Sequence, residues 1–307
     1  MDPYNILEQN LDVKLIKPGI MIKYLLLLAV SITLFSFTSD KKAYQFFDVK
    51  GKETNYAKLL EAAKDADIIL FGEQHDNPID HWMEQELTKD LYAIKKENLV
   101  LSAEMFEADD QDKVDEYLNG SVSEKTLKEE AKLWTNFPSD YKPLLDFAKK
   151  NKLQFVAANI PRRYANMVYT RGLEKLDSIN VDAKRWIAPL PILYDKTLKC
   201  YADIFKAAMG HGGENLPKAQ AIKDATMAYF IMKNFSKGKT LINYNGSYHS
   251  DNHQGIEWYL KKLNPSIKIL TIGSTEQEGV DALDKENLGL ADFILCTPAS
   301  MSKSYRP

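Results

Sequence analysis

Two Gly-x-x-His segments, Gly72–His75 and Gly246–His249, each follow a short apolar run, and a third such run ends in Ser102-Ala103-Glu104. With Glu73 inside the first segment, two imidazoles and two carboxylates stand at three separate strand ends. Glu73, His75, Glu104 and His249 suit two chemistries. They hold a divalent metal, or one imidazole acts as general base while a carboxylate orients it. A fourth run ends at Asn159, followed by Ile160-Pro161-Arg162-Arg163. Asn159 and Arg162 are therefore expected to bind a ligand, Arg162 through paired hydrogen bonds to a carboxylate or phosphate. His81 opens the next helical pattern and is expected to face the same site. Gln220 and Asp224, four apart, share a helix side that lines it. His253, just before Gly255, either helps the fourth loop or is a solvated turn residue. Each group alone has an ordinary reading as a turn or helix-cap residue; their conjunction at several strand ends points to a site.

Other chemistries lack their residues. No Ser, Cys or Thr occupies a nucleophile-elbow context, and the GHGG of Gly210–Gly213 fits neither phosphate-binding fingerprint.

The elements that must position these groups are legible as alternating patterns. Strands are expected at Asp67–Gly72, Leu99–Glu104, Gln154–Asn159, Thr240–Asn245, Lys268–Ile272 and Asp292–Cys296, apolar nearly throughout, as in sheets covered on both faces. Helices are expected at Ile79–Lys96, at Tyr141–Lys150 with Ser139 or Asp140 as its cap, and at Ile256–Leu263, stopped by Asn264-Pro265. This alternation predicts an α/β fold with a central, mostly parallel sheet flanked by helices. The residues 110–134 and 161–237 read as helical insertions forming a cap. In open sheets of this kind ligands bind beyond the carboxyl ends of the strands, where the polar groups above are found.

With 40 Lys and Arg against 43 Asp and Glu, the chain has no basic excess, which argues against a nucleic-acid partner. The uncharged run Tyr24–Phe37 follows Lys23 and precedes the small residues Thr38-Ser39. At roughly 14 residues it suits a secretory signal better than a membrane span, an uncleaved anchor being the alternative. Residues 1–39 are thus expected to comprise an upstream extension and a signal peptide starting at Met21, and 40–307 a single exported domain. Cys200 and Cys296 are far apart in sequence and form no CxxC; whether they pair is open.

The ordered set LFGEQHDNPIDH, LSAEMFEADDQ, AANIPRR, QAIKDATMA and NGSYH…GI, from about Ile68 to Ile256, resembles the ChaN-like haem-binding uptake family. That family lies in a superfamily with the Tiki and TraB proteins and, more distantly, the erythromycin esterases. The resemblance implies an α/β core with a helical cap, a periplasmic location, and haem or iron acquisition. It implies haem at a homodimer interface, a tyrosine on the iron with His and Lys near the propionates, and an outer-membrane uptake receptor as partner. The wider superfamily implies a hydrolase-like site, which falls on Glu73, His75, Glu104 and His249, with Arg162 beside them. Two features depart from the family pattern. No cysteine offers a lipid attachment near the apolar run, and Asn-Gly-Ser-Tyr-His replaces a Gly-Asn-Gly-His type sequence. No motif isolates the haem-ligating tyrosine among the 16 present.

Overall fold

The computed structural model describes residues 41–208 and 213–305. The expectations for residues 1–39 lie outside the described residues, as does most of the GHGG segment. The parallel strands are β3 (Ile68–Glu73), β4 (Leu99–Glu107), β5 (Phe155–Asn159), β6 (Thr240–Gly246), β7 (Ile269–Gln277) and β8 (Phe293–Pro298). All six answer to expected strands, several running one to five residues further. Two short strands at the amino end were not anticipated: β1 (Gln45–Asp48) and β2 (Glu53–Thr54). They add an antiparallel edge, giving an eight-stranded sheet in the order β2-β1-β8-β7-β3-β6-β4-β5. A four-residue and a two-residue strand are too short to carry a legible period.

The apolar runs are continuous because both faces of the sheet are covered. Successive strand residues point to opposite faces. Ile69, Phe71, Leu101, Ala103, Ile242 and Tyr244 therefore share one core, which the helices α1 (Tyr56–Lys64), α2 (Pro78–Lys95), α3 (Gln111–Asn119), α4 (Glu124–Glu130) and α5 (Lys142–Asn151) complete. Ile68, Leu70, Val100, Val156 and Leu241 face the other way. The remaining helices are α6 (Arg162–Arg171), α7 (Lys199–Ala207), α8 (Asn215–Asn234) and α9 (Ile256–Leu263). The carboxyl half of α8 packs Ala225, Met227, Ala228 and Ile231 with the second core, while Ala219 and Ile222 of its amino half join a separate cluster with α6. Of the expected cap, 110–134 instead packs into the first core as α3 and α4, 161–237 supplies the separate cluster, and the rest of α8 is a flanking helix of the sheet.

One capping expectation fails. A π-helical turn, Phe137–Tyr141, precedes α5, and no side chain caps the helix. Asp140 is instead buried, accepting from Asn136 Nδ2 at 2.8 Å and Ser304 Oγ at 2.9 Å. Ser139 donates to the Asn136 carbonyl. The carboxylate is thus taken by a neighbour four residues back and by a hydroxyl from the distant carboxyl-terminal segment, which leaves none of it for the helix N–H groups.

The two cysteines are free and buried in different clusters, Cys200 on α7 and Cys296 in β8. Among the described residues no helix is long and apolar enough to cross a membrane.

Candidate functional site

Adjacent strands bring the two Gly-x-x-His segments together. Strand β3 pairs with β6 in parallel, with Glu73 opposite Gly246, and β6 pairs with β4. The glycines explain the repeated spacing. A Cβ on Gly72 would lie 2.9 Å from Ser250 Oγ and 3.0 Å from Ser247 Cα, in the loop after β6. A Cβ on Gly246 would lie 2.6 Å from His75 Nε2, in the loop after β3. Each glycine therefore makes room for the other strand's loop.

The His75 loop is fixed at both ends. Asn77 caps α2, accepting from Ile79 N at 3.0 Å, and Pro78 at the first helical position lacks only an N–H the helix would leave unpaired. Asp80 reaches back to accept Gln74 N at 2.7 Å and Ser274 Oγ at 2.9 Å. Burial pushes the Asp80 carboxyl up to about 7.

His75 and His249 sit in different electrostatic settings. His75 Nδ1 is 2.6 Å from Glu73 Oε1, and its ring stands edge-on to Trp134 at 4.8 Å. The side chain remains 40% exposed, with Nε2 beside the open cleft. Burial opposes the charged imidazole, but the Glu73 hydrogen bond and the nearby Glu104 charge outweigh it and raise the His75 pKa. Glu73 is fully enclosed and also accepts the Tyr141 hydroxyl at 2.9 Å. Its own burial raises the pKa, yet the His75 hydrogen bond and the His81 imidazole behind it overcome that and hold it well below the carboxylate range.

His249 is buried between two carboxylates. Nε2 lies 3.0 Å from Glu104 Oε1, and Nδ1 bonds Asp224. The attraction of Glu104 and Asp224 overcomes burial and lifts the imidazole to about 9, while His249 draws Glu104 down to about 2 against its burial. At neutral pH this imidazole is an imidazolium facing a carboxylate, an acid and electrostatic stabiliser rather than a resting base. Asp224 is raised by burial, only partly offset by His249 and by the Tyr201 hydroxyl at 2.7 Å. The second Glu104 oxygen accepts Gly246 N at 2.8 Å.

His75, Glu104 and His249 floor a cleft of about 670 Å³ at the carboxyl ends of the strands, while Glu73, expected beside them, is buried beneath it and reaches it only through His75. Asn159 lines it with an Oδ1 that has no hydrogen-bond partner. Gln220 lies against His249, its amide nitrogen 2.9 and 3.1 Å from the ring nitrogens. Arg162 is on the rim, already bonded to Glu107 and to the Lys132 carbonyl. Asp224 stands one shell back, behind His249. His81 does not enter the cleft: it is buried behind Glu73, edge-on to Tyr141 at 5.3 Å, and 3.2 Å from the His75 carbonyl oxygen. Opposing burial, Glu73 and Glu84 raise it to about 12. His253 pairs with Glu257 at 3.0 Å, apart from the cleft.

Sequence reasoning missed Glu84, Trp134, Asn136, Tyr141, Tyr201 and Lys223. None lies near a strand end. The helix period offered a signal for two of them: Lys223, three residues past Gln220 on α8, and Glu84, three residues past His81 on α2.

The family model described as "Haem-binding uptake, Tiki superfamily, ChaN" matches residues 59–260. The chain belongs to this family. Among solved structures it is similar to one titled "Cofacial heme binding to ChaN of Campylobacter jejuni", at 18% identity and a TM-score of 0.64, covering 84% of this chain and 98% of that one. It also resembles an erythromycin esterase variant in its open conformation, at 10% identity and a TM-score of 0.50, covering 86% of this chain and 99% of that one. At these identities the likeness is one of fold. No curated protein matches the chain.

Proposed function

We propose that this ChaN-family chain binds haem as the cargo of an exported uptake system, through the surface at the mouth of the cleft rather than through its floor. The floor suits haem poorly. Haem takes a flat apolar slot with one or two axial ligands, whereas charged and polar groups crowd this floor and both ring nitrogens of His249 are taken by carboxylates. The observation that carries the reading is Tyr248, 71% exposed on the cleft rim beside His249, its hydroxyl without a hydrogen-bond partner among the described residues. Of the described tyrosines only Tyr169, at 41%, is otherwise exposed. A tyrosinate is an established haem-iron ligand. The cofacial arrangement named for the Campylobacter jejuni protein supports an open face and a haem-bridged homodimer.

Haemin titration is expected to give a saturable, tyrosinate-type spectrum, which Tyr248→Phe abolishes, and dimerisation in sedimentation that depends on haemin. No saturable change, or an unaltered spectrum in Tyr248→Phe, overturns this assignment. Export predicts a mature chain beginning near Asp40, checked by mass spectrometry of the fractionated native protein; a cytoplasmic chain retaining Met1 is the refuting result.

A second reading rests on a different atom, the open Nε2 of His75. Its Nδ1 is held by Glu73 in the way a carboxylate orients a general base. In that reading His75 Nε2 takes the proton of an attacking water and Glu73 stabilises the resulting imidazolium, while the His249 imidazolium offsets the Glu104 charge on the cleft floor. An ester panel assayed with wild type and His75→Ala tests it. Turnover that survives His75→Ala excludes it, and neither result bears on haem at Tyr248.

A further inference from the structure

Behind the cleft floor, Glu73, His81 and Glu84 gather ligand atoms that all lie within 4.8 Å of one another. His81 Nδ1 is 3.1 Å from Glu73 Oε2 and 3.5 Å from Glu84 Oε2. Two ligands at a tetrahedral angle, each about 2.0 Å from a zinc ion, stand about 3.3 Å apart. His81 and Glu84, at i and i+3, project from one side of α2, a spacing that places two ligands on one helix face.

A cluster of acids proves nothing alone, but the bonding around this one is incomplete in a directed way. Glu84 is fully buried, and neither of its carboxylate oxygens has a hydrogen-bond partner. Glu73 Oε2 and His81 Nδ1 are likewise without one, and these are the atoms that face Glu84. The opposite edges of the same side chains are satisfied. His81 Nε2 is 3.2 Å from the His75 carbonyl oxygen and 3.4 Å from Asp140 Oδ2. Glu73 Oε1 takes His75 and the Tyr141 hydroxyl. A cation bound here displaces the proton that Glu73 and Glu84 hold on His81 Nδ1; with the Nε2 proton kept toward the His75 carbonyl, the freed lone pair faces both carboxylates. A ligating histidine is held in this way, its other N–H given to a carbonyl or carboxylate. Unpartnered buried polar atoms are costly, and three residues that bring such atoms within 4.8 Å of one another call for a cation between them.

We propose that Glu73 Oε2, His81 Nδ1 and Glu84 bind one divalent first-row cation of the zinc type, buried beneath the cleft and separate from the Glu104–His249 pair. One nitrogen and two carboxylates are ordinary zinc ligands, and the second oxygen of Glu84 is available for a fourth bond. The ion fixes Glu73 from behind and so orients His75, whichever ligand the cleft receives. The site stands independently of the haem and hydrolase readings.

Protein stripped with a chelator and titrated with Zn²⁺ against a chromophoric competitor is expected to bind one equivalent per chain, with a higher melting temperature when loaded. Glu84→Gln, which keeps the side-chain volume, is expected to weaken Zn²⁺ at least about 100-fold, whereas Glu104→Gln leaves it within about twofold. Co²⁺ loaded into the wild-type chain is expected to show the visible absorption of a four-coordinate N,O site, a readout that does not depend on a variant folding. Absence of stoichiometric binding to wild type, or unchanged affinity in Glu84→Gln, overturns the proposal. So does loss of the metal in Glu104→Gln; each result leaves a triad bridged by protons.

Discussion

Glu104→Gln removes one charge from the cleft and keeps the shape of the side chain. In the native cleft Glu104 stands 3.0 Å from His249 Nε2, and its other oxygen holds Gly246 N. Both side chains are about 5% exposed or less, so solvent ions screen the pair weakly. His249 is held at about 9 against an ordinary 6.5, and Glu104 at about 2 against 4.5. The two displacements record largely the same attraction and are counted once. The His249 displacement corresponds to about 3 kcal/mol. Because its pKa is raised in the folded chain, this stabilisation is complete below about 6.5 and is lost as pH rises through about 9. In the variant Asp224 alone holds the imidazole. His249 should then titrate well below 9, and the alkaline loss of stability should be smaller and come earlier. At pH 6 the variant should be about 2–4 kcal/mol less stable, and the gap should narrow toward pH 10. Urea melts across that range for both proteins, with His249 followed by NMR, measure both quantities. A variant whose His249 still titrates near 9, or a stability gap independent of pH, would refute the assignment of Glu104 as the partner that charges His249.

Three further substitutions probe how the loops are held. Gly246→Ala puts a methyl 2.6 Å from His75 Nε2 and 2.8 Å from Cε1. The ring must leave Glu73 or Trp134, which should cost about 1–3 kcal/mol and lower the His75 pKa measured by NMR; an unmoved titration contradicts the packing described. At Gly255, φ is +54° and a Cβ would fall 2.2 Å from the His249 carbonyl oxygen. Backbone against backbone cannot be relieved by a rotamer, so Gly255→Ala should lose more than about 2 kcal/mol in denaturant melts, and a loss under 1 kcal/mol would show the loop to be adaptable. Tyr141→Phe deletes the hydroxyl donated to Glu73; about 1–2 kcal/mol should be lost, and unchanged stability would mean that the bond contributes nothing net.

The local patterns carried the order of strands and the polar groups at their ends. Apolar runs long enough to be buried on both faces identified β3 to β8, and the repeated Gly-x-x-His directly after two of them located the loops holding His75 and His249. Parallel strands share a direction, so Glu73, Glu104 and Gly246 had to meet at one edge once β3, β6 and β4 were neighbours. That adjacency belongs to the tertiary structure, as does every assignment of partners. No period could say that Asp224 lies behind His249 while Glu104 lies in front, or that the two glycines make room for each other's loops. His81 reads from sequence as a residue opening a helix toward the cleft, yet the angle of α2 turns it behind Glu73, where Glu84 joins it. Tyr141 closes the same pocket from a π-helical turn that the sequence reads as a capped helix start. Helix and strand periods are set by neighbouring residues, but which face meets which is decided by packing between segments far apart in the chain. Charge state follows that packing, because burial and the opposing carboxylate, not residue type, fix whether an imidazole is a base or an acid.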